Sequence, residues 1–391
     1  MEGVRGEMRL SRFLLGFPDS WEATATKAFA FHKVLRPSDS LTLEHLRELS
    51  ARRDAVASKL VYVEGNPDAG AEEHRRQNYT HWVHQYTALL ERFIQQAPEL
   101  LDEKSAKKLV FQWNSPFAEQ PNRFFSCPHL QMERAMVLYL YGAALRQQAY
   151  HMAATAASPT PVEGGPEGVA PQAQAATLLR KAAGIYTFLS DCVLPSIAED
   201  LPSDRPSELT VSAASCLSFC CLAEAQAVTV HRATEKGTSP QLIVQLHAGA
   251  SELMESASAV LRKGTSEHNQ VSSRLRRHIA VASTFHEALA YMHFGRHQLA
   301  NSQAGVAVGM CDHALKLLQK CSNAAEGDTR WLDVIMEAVN AVNSLRGHFD
   351  SERSLVYFQS IPTSLPTLPG GRVVVKPLDF EPPCDESSLF V

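Results

Sequence analysis

Apolar residues recur every three to four positions along most of this chain, which is the spacing of one face of an α-helix. The pattern predicts a succession of long helices separated by short breaks. We therefore expect a mainly α-helical protein. The predicted helices cover residues 40–63, 71–96, 128–154, 174–197, 215–232, 240–261, 266–299, 303–325 and 331–345.

The sharpest break in this pattern is the corner at residues 236–240. Gly237 can adopt the left-handed conformation that ends a helix. Ser239 can cap the following helix, and Pro240 suits its first position because a proline's missing N–H costs nothing there. The corner therefore predicts a helical hairpin.

The second helix of this hairpin carries more leucine than one narrow face can bury. We expect some of these side chains to remain outside the intramolecular core. Such an apolar surplus is what a groove for a partner helix requires. The leucines concerned are Leu242, Leu246, Leu253 and Leu261.

Short extended segments are predicted in the first third of the chain. Residues 1–40 are interpreted as irregular, with candidate strands at Phe13–Pro18 and Phe29–Pro37. Residues 107–117 are predicted to be extended and to end in a turn. These pieces are too short to change the helical class.

Two later stretches also break the helical pattern. Residues 157–172 are rich in proline and glycine and are predicted to form a flexible loop within the fold. The tail at residues 355–391 is predicted to be extended, with an edge strand at Gly370–Pro377 because Gly and Pro bound a run of valines. Since a helical array can absorb 391 residues as one unit, we predict a single domain over residues 1–391.

Composition and charge argue against a nucleic-acid partner. The formal net charge of −5 leaves no basic surplus to neutralise phosphates. Hydrophobic residues make up 45% of the chain, too many for general disorder. The eight cysteines show no Cys-x-x-Cys spacing and are expected to be reduced thiols. The sequence shows no signal peptide, membrane span or lipidation motif, so a cytoplasmic location is expected.

No arrangement of residues in the sequence indicates catalysis. His286 and His293 are seven residues apart, whereas a zinc-protease helix needs its two histidines four apart. The sequence also lacks a phosphate-binding glycine loop and a nucleophile elbow. We therefore expect no enzymatic activity, catalytic residue, metal, cofactor or small-molecule substrate. The basic run at residues 274–277 fits either a solvated helix face or a patch for acidic lipids or an acidic partner.

Five stretches of the sequence, taken in order, resemble the Bro domain family. Residues 285–314 also resemble one tetratricopeptide unit, a pair of antiparallel helices that bury their faces by stacking. Within the family, the chain is most similar to stand-alone members, including those of plants. The five stretches are residues 109–117 (LVFQWNSPF), 132–145 (MERAMVLYLYGAAL), 182–189 (AAGIYTFL), 222–233 (LAEAQAVTVHRA) and 356–362 (VYFQSIP).

The resemblance implies an elongated, banana-shaped helical domain with a small β-sheet beside a tetratricopeptide-like core. It further implies an endosomal adaptor that binds the C-terminal amphipathic helix of the main filament-forming ESCRT-III subunit and acts in multivesicular body sorting. Such an adaptor is cytoplasmic and is recruited to endosomes. Its peripheral membrane association would come through partners or through a basic convex surface.

The partner groove of the family uses a small or apolar residue and a basic residue on one helix, and two aliphatic residues on the next. The resemblance places these roles on Thr229, Arg232, Leu242 and Leu246. Leu242 and Leu246 lie one helical turn apart and would contact the same partner helix, so each is expected to be partly exposed. Two alternatives remain open: the leucines belong to the core, or the chain is a general helical peptide-binding scaffold unrelated to endosomes.

Overall fold

The computed structural model describes residues 24–35, 37, 39–61, 69–118, 120, 123–155, 170–264 and 271–383. The candidate strand at Phe13–Pro18 and most of the predicted loop lie outside these residues. The end of that predicted loop is corrected, because residues 171 and 172 already belong to a helix.

Long helices account for most of the described chain, which confirms the predicted fold class. Each long helix packs mainly against the one before it and the one after it, so the helices form an array. The helices are α1 (Phe31–Leu35), α2 (Ser40–Val61), α3 (Ala69–Leu100), α4 (Glu103–Ala106), α5 (Leu130–Thr155), α6 (Pro171–Phe188), α7 (Leu194–Ser196), α8 (Val211–Glu235), α9 (Pro240–Lys263), α10 (Ser273–Ala300), α11 (Ala304–Ala324) and α12 (Thr329–Glu352).

Side-chain caps fix the N-termini of three helices in the second half of the chain. Thr210, Ser272 and Asp328 precede α8, α10 and α12, and each accepts a hydrogen bond from a backbone N–H three residues later. Such a cap satisfies one of the N–H groups that a helix start leaves without a partner. Because Thr210 is the cap, α8 begins four residues before the start predicted at residue 215.

The predicted corner between α8 and α9 is confirmed. Gly237 has a φ of +70° and ends α8 in the left-handed conformation. The N–H of Thr238 donates to the carbonyl of Ala233 at 3.0 Å, which satisfies one of the last carbonyls of α8. Ser239 occupies the N-cap position of α9 and Pro240 its first position, but the Ser239 side chain makes no cap hydrogen bond.

A small antiparallel sheet lies near the N-terminal end of the helical array. Strands β1 (Phe111–Asn114) and β2 (Phe124–Cys127) pair with Phe111 opposite Cys127. Thr26 adds a single bridge to Trp113. The extended segment predicted at residues 107–117 therefore contains a strand.

The candidate strand at Phe29–Pro37 is wrong, because its central residues form the short helix α1. Phe31 is fully buried, and its N–H donates to the Ser50 hydroxyl of α2 at 2.9 Å. The rings of Phe29 and Phe31 both pack against Phe111 of β1. The apolar residues of this stretch therefore fill space between α2 and the sheet rather than adding a strand.

A buried carboxylate joins the sheet to three helices. Glu133 of α5 accepts hydrogen bonds from Arg53 Nε of α2 at 2.8 Å and from the Tyr86 hydroxyl of α3 at 2.9 Å. Trp113 Nε1 of β1 donates to the other carboxylate oxygen at 2.6 Å. Each buried charge is therefore paired, as burial in a low-dielectric interior requires.

Among the described helices, α8 is long and apolar enough by composition to cross a membrane. However, 83% of its apolar window is buried inside the protein. Its apolarity is therefore that of a core helix, packed between α6 and α9.

The chain leaves α12 through a π-helical turn at Arg353–Tyr357, followed by Phe358 with a left-handed φ of 52°. We call the extended residues 359–383 the strap. The edge strand predicted at Gly370–Pro377 is wrong, because no described residue of this segment is part of a strand ladder. Its backbone bonds to helices instead.

The strap crosses the helical array in the direction opposite to chain order. Glycines on the helices let its backbone approach closely: a Cβ at Gly184 would lie 1.8 Å from the carbonyl oxygen of Leu378. The rings of Phe380 and Phe188 then pack at 5.5 Å near the end of the strap. The helix residues that the strap contacts include Gly305 and Gly309 of α11, Gln245, Gly249 and Glu252 of α9, Gln226 of α8, and Arg180 and Gly184 of α6.

Candidate partner-binding groove

The α8–α9 corner brings the four predicted groove residues onto neighbouring helices. Thr229 and Arg232 lie in the last two turns of α8. Leu242 and Leu246 lie in the first two turns of α9. Because the two helices reverse direction at the corner and pack along each other, these segments lie side by side.

A small hydrophobic cluster fills the space between these two helix ends. Its buried members are Val230, Ile243 and Leu246. Ala233 and Leu242 pack on its edge and are partly buried. One part of the apolar surplus therefore closes the hairpin, and another part stays accessible to solvent.

The expectation that Leu246 is partly exposed is wrong, because only 4% of this residue is accessible. It belongs to the cluster that closes the hairpin. Leu253 and Leu261 are buried as well. Of the surplus leucines, Leu242 alone is partly accessible, and it packs on the same cluster as Leu246.

Polar chemistry beside this cluster comes from α8. The Thr229 hydroxyl donates to the carbonyl of Ala225 at 2.9 Å, so the outward chemistry of this residue is mainly its methyl group. Arg232 is partly accessible, and its side chain makes no ion pair or hydrogen bond with a described residue. Lys236, one turn later, is exposed. The last turns of α8 therefore carry two basic side chains, Arg232 and Lys236, with the acidic Glu235 between them.

Sequence reasoning missed Gln226, which lies one turn before Thr229 on α8. This side chain is fully buried and bonds to both α9 and the strap. A glutamine inside an alanine-rich helix carries no motif that marks it. Its position between alanines in an apolar helical stretch was the available sequence signal, since an amide that is buried needs hydrogen-bond partners.

The strap reaches the same surface from the other end of the chain. The N–H of Arg372 donates to the carbonyl of Gln245 on α9 at 2.8 Å. Val373 and Val374 follow with 44% and 48% of their surface exposed. The strap therefore adds accessible apolar side chains beside the segment of α9 that carries Leu242.

Three buried histidines lie between α9 and α10: His247 belongs to α9, and His286 and His293 belong to α10. His247 Nδ1 lies 3.3 Å from His286 Nδ1, and the His247 ring stacks on His293 with centroids 5.4 Å apart. Burial lowers the pKa of His286 to about 4 and that of His293 to about 3. Within the described residues, no group of three or more His, Cys, Asp or Glu side chains is arranged to hold a metal ion. These rings therefore pack as neutral groups at neutral pH.

Comparison with known families and proteins adds to this geometry. The model of the BRO1-like domain matches residues 37–390. The BRO1 domain-containing protein BROX of Homo sapiens is 28% identical over 218 residues, which cover 52% of each chain. BROX of Mus musculus is 26% identical over the same length and coverage. The chain spans about half the length of the curated relatives it matches.

Solved structures share the fold at low sequence identity. ALIX in complex with the SIVmac239 PYKEVTEDL late domain has a TM-score of 0.68 at 16% identity, over 93% of this chain and 49% of that chain. The ALIX BRO1 CHMP4C complex has a TM-score of 0.66 at 16% identity, over 94% of this chain and 97% of that chain. A structure described as the basis for endosomal targeting by the Bro1 domain has a TM-score of 0.59 at 15% identity, over 94% and 92%.

Proposed function

Because the chain belongs to the BRO1-like domain family, we propose that it is a non-enzymatic endosomal adaptor. Its partner is the C-terminal amphipathic helix of the main filament-forming ESCRT-III subunit, and its role is in multivesicular body sorting. The fold supports this proposal, since it matches a BRO1 domain solved with CHMP4C and another described in endosomal targeting. The adaptor is cytoplasmic and reaches the endosomal membrane peripherally, through its partner.

The observation that carries the proposal is that the α8–α9 corner presents a partly accessible leucine on one helix and, on the other, an arginine whose side chain has no described partner. Leu242 rests on a buried cluster and is partly accessible. Arg232 stands on the neighbouring helix with no described partner for its side chain. An amphipathic helix offers aliphatic anchors at helical spacing with polar flanks, so this corner can bury an anchor and pair an acidic flank.

The four predicted groove residues have different roles in this proposal. Leu242 and the Thr229 methyl contact the apolar side of the partner helix, and Arg232 pairs with an acidic residue at its flank. Leu246 is the buried floor on which Leu242 rests. Val373 and Val374 of the strap extend the apolar surface beyond the two helices.

The proposal is tested by titrating the full chain into a fluorescent synthetic peptide of the ESCRT-III tail helix and recording anisotropy. Leu242→Asp puts an unpaired carboxylate at the anchor position, and we expect about a thirtyfold loss of affinity. Leu41→Asp is the matched control, since Leu41 is a 46% exposed leucine near the start of α2. Equal affinities of the two variants would rule out the corner as the binding site.

Arg232→Glu tests the electrostatic part of the same site. The substitution should weaken binding and change the melting temperature little, because the Arg232 side chain has no described partner to lose and only its interaction with the end of α8 changes. Wild-type affinity should fall with added salt, and the affinity of the variant should depend on salt less strongly. Unaltered affinity in the variant would assign Arg232 to the solvated surface.

Specificity separates this adaptor from a general helical peptide-binding scaffold. We expect the ESCRT-III tail helix to bind more tightly than unrelated amphipathic helices of equal length, charge and hydrophobicity. In cells, the wild-type chain should collect on endosomes and Leu242→Asp should stay diffuse. Equal affinity for all the helices, with no endosomal recruitment, would favour the general scaffold.

A further inference from the structure

Gln226 of α8 is a buried three-way junction. Its Nε2 donates to the carbonyl of Leu246 on α9 at 3.1 Å and to the carbonyl of Arg372 in the strap at 2.7 Å. Its Oε1 accepts from the N–H of Val374 at 3.1 Å. The side chain is fully buried, and its amide therefore joins two helices and the strap away from water.

We infer that Gln226 is a positioning residue that locks the strap onto the α8–α9 groove, so that strap docking and partner binding are coupled. This inference rests on the proposed function. Gln226 touches no partner itself. It acts by holding the strap in register with the residues that do.

The place of the junction explains why the coupling is local. Gln226 lies one turn from Thr229 on α8, and its α9 contact is the carbonyl of Leu246, the floor of the groove. A second strap contact, from the N–H of Arg372 to the carbonyl of Gln245, lies on the adjacent residue of α9. Any shift of the strap at this point therefore breaks contacts with both groove helices.

Between Arg372 and Val375, the strap is bonded along one edge only. The N–H groups of Arg372 and Val374 face the helices, whereas those of Val373 and Val375 make no hydrogen bond to a described residue. This alternation is the geometry of an extended backbone, in which successive residues point to opposite sides. Gln226 supplies both the acceptor and the donor that fix this edge over α8.

The strap backbone packs closely against α9. A Cβ at Gly249 would lie 2.6 Å from the Arg372 carbonyl oxygen, so the backbone of the strap sits directly on the helix there. Without Gln226, the Arg372 carbonyl and the Val374 N–H would be left unpaired in a partly buried site, which is costly. The strap would then leave this site to recover hydrogen bonds with water.

The first test compares wild type with Gln226→Leu, which keeps the approximate shape of the side chain and removes its three hydrogen bonds. Hydrogen exchange followed by NMR should show protected amides at Arg372 and Val374 and fast exchange at Val373 and Val375 in wild type. Gln226→Leu should accelerate exchange at Arg372 and Val374. It should also weaken binding of the tail-helix peptide about tenfold.

A second variant covers a failure of Gln226→Leu to fold. Val374→Pro removes the N–H that donates to Gln226. Because Val374 is 48% exposed, this substitution should disturb the core little. Val375→Pro is the matched control, because the Val375 N–H has no described partner and Val375 is not among the residues assigned to the partner surface. Val374→Pro should weaken peptide binding and Val375→Pro should not. In the double variant of Gln226→Leu and Val374→Pro, the losses should not add, because both act on one junction.

Coupling must also operate in the reverse direction. Bound peptide should increase the exchange protection of Val374, since linkage between two events is reciprocal. The inference is overturned if Gln226→Leu or Val374→Pro frees the strap while peptide affinity stays at the wild-type value, or if strap exchange is unchanged in Gln226→Leu. A wild-type chain that binds no peptide would instead refute the proposed function, and the coupling with it.

Discussion

The guanidinium of Arg146 in α5 is paired with the carboxylate of Glu224 in α8, with Nε 2.7 Å from Oε2. Their side chains are 3% and 4% exposed. The Tyr150 hydroxyl donates to the same carboxylate at 2.5 Å. Glu224 precedes Gln226 by two residues, so this pair anchors the segment of α8 that leads into the groove.

Removing one partner of this pair should destabilise the protein strongly. Glu224→Gln leaves a buried guanidinium without its counter-charge, and such a loss typically costs about 3–5 kcal/mol. Urea unfolding followed by circular dichroism measures the change. The control is Glu103→Gln, in an ion pair with Lys107 whose side chains are 83% and 74% exposed, where no measurable change is expected. Similar losses in both variants would show that burial of the pair carries no special stability.

Acidification should destabilise the protein through its buried histidines. Burial lowers the pKa of His278 to about 3, of His286 to about 4 and of His293 to about 3. Histidines in the unfolded chain titrate near pH 6.5, so below that pH the unfolded state binds protons that the folded state does not. The contribution is present above pH 6.5 and is lost as pH falls toward the folded pKa values, by on the order of 1 kcal/mol per pH unit for each histidine.

Urea unfolding at pH 7.5, 6.5 and 5.5 measures this slope. Since burial lowers the pKa of His247 as well, His293→Asn should flatten the slope by at most about a quarter, even if the variant is less stable throughout. The titration of Glu208 has the opposite effect on stability, so that acidification stabilises the protein, because burial raises the pKa of Glu208 to about 7. Its neutral form stabilises the fold below pH 4.5, and this contribution is lost as pH rises through about 7. The histidine slope is therefore best measured in a Glu208→Gln background. A stability independent of pH in that background would contradict the assignment.

Gly184→Ala should displace the strap from α6. The new Cβ would lie 1.8 Å from the Leu378 carbonyl oxygen, closer than any van der Waals contact. The Leu378 N–H, which donates to the backbone carbonyl of Arg180 at 3.1 Å, should lose its exchange protection, and the melting temperature should fall. Gly347→Ala in α12 is the control, because nothing lies within 4 Å of its Cβ. Its better helix propensity should add up to about 1 kcal/mol of stability. Stabilisation in both variants would show that the strap does not dock on α6 in solution.

The two groove leucines should respond differently to the same substitution. Leu246→Asp buries an unpaired carboxylate in the cluster with Val230 and Ile243, and should cost several kcal/mol of stability. Leu242→Asp, at a partly accessible position, should alter the melting temperature little. Thermal unfolding of both variants decides the matter. A Leu246→Asp protein as stable as wild type would mean that this leucine faces the groove rather than the core.

The helical part of this fold could be predicted from the sequence because its signals are local. Apolar periodicity gave the long helices, and Gly237 with Pro240 located the corner between α8 and α9. Helix caps and left-handed glycines act within a few residues of their own position. They therefore need no knowledge of the rest of the fold.

What the sequence did not reveal depends on contacts between distant residues. The valines at 373–375 predict a strand by composition, yet the Val374 N–H donates to the side chain of Gln226, 148 residues away in the chain. Leu246 and Leu242 have the same side chain on the same helix, yet Leu246 is buried in a cluster that includes Val230 of α8, whereas Leu242 lies at the edge of that cluster. Periodicity within α9 contains no information about either partner.

The strap also changes how this helical array can unfold. An array whose helices contact only their neighbours can fray from either end, because each interface is lost independently. The strap joins α11, α9, α8 and α6 through contacts as distant in sequence as Arg180 and Lys376, which are 196 residues apart. Opening one interface under the strap therefore strains its contacts with the others. The helices it crosses should unfold together as one cooperative unit, so the groove should persist until the whole unit melts.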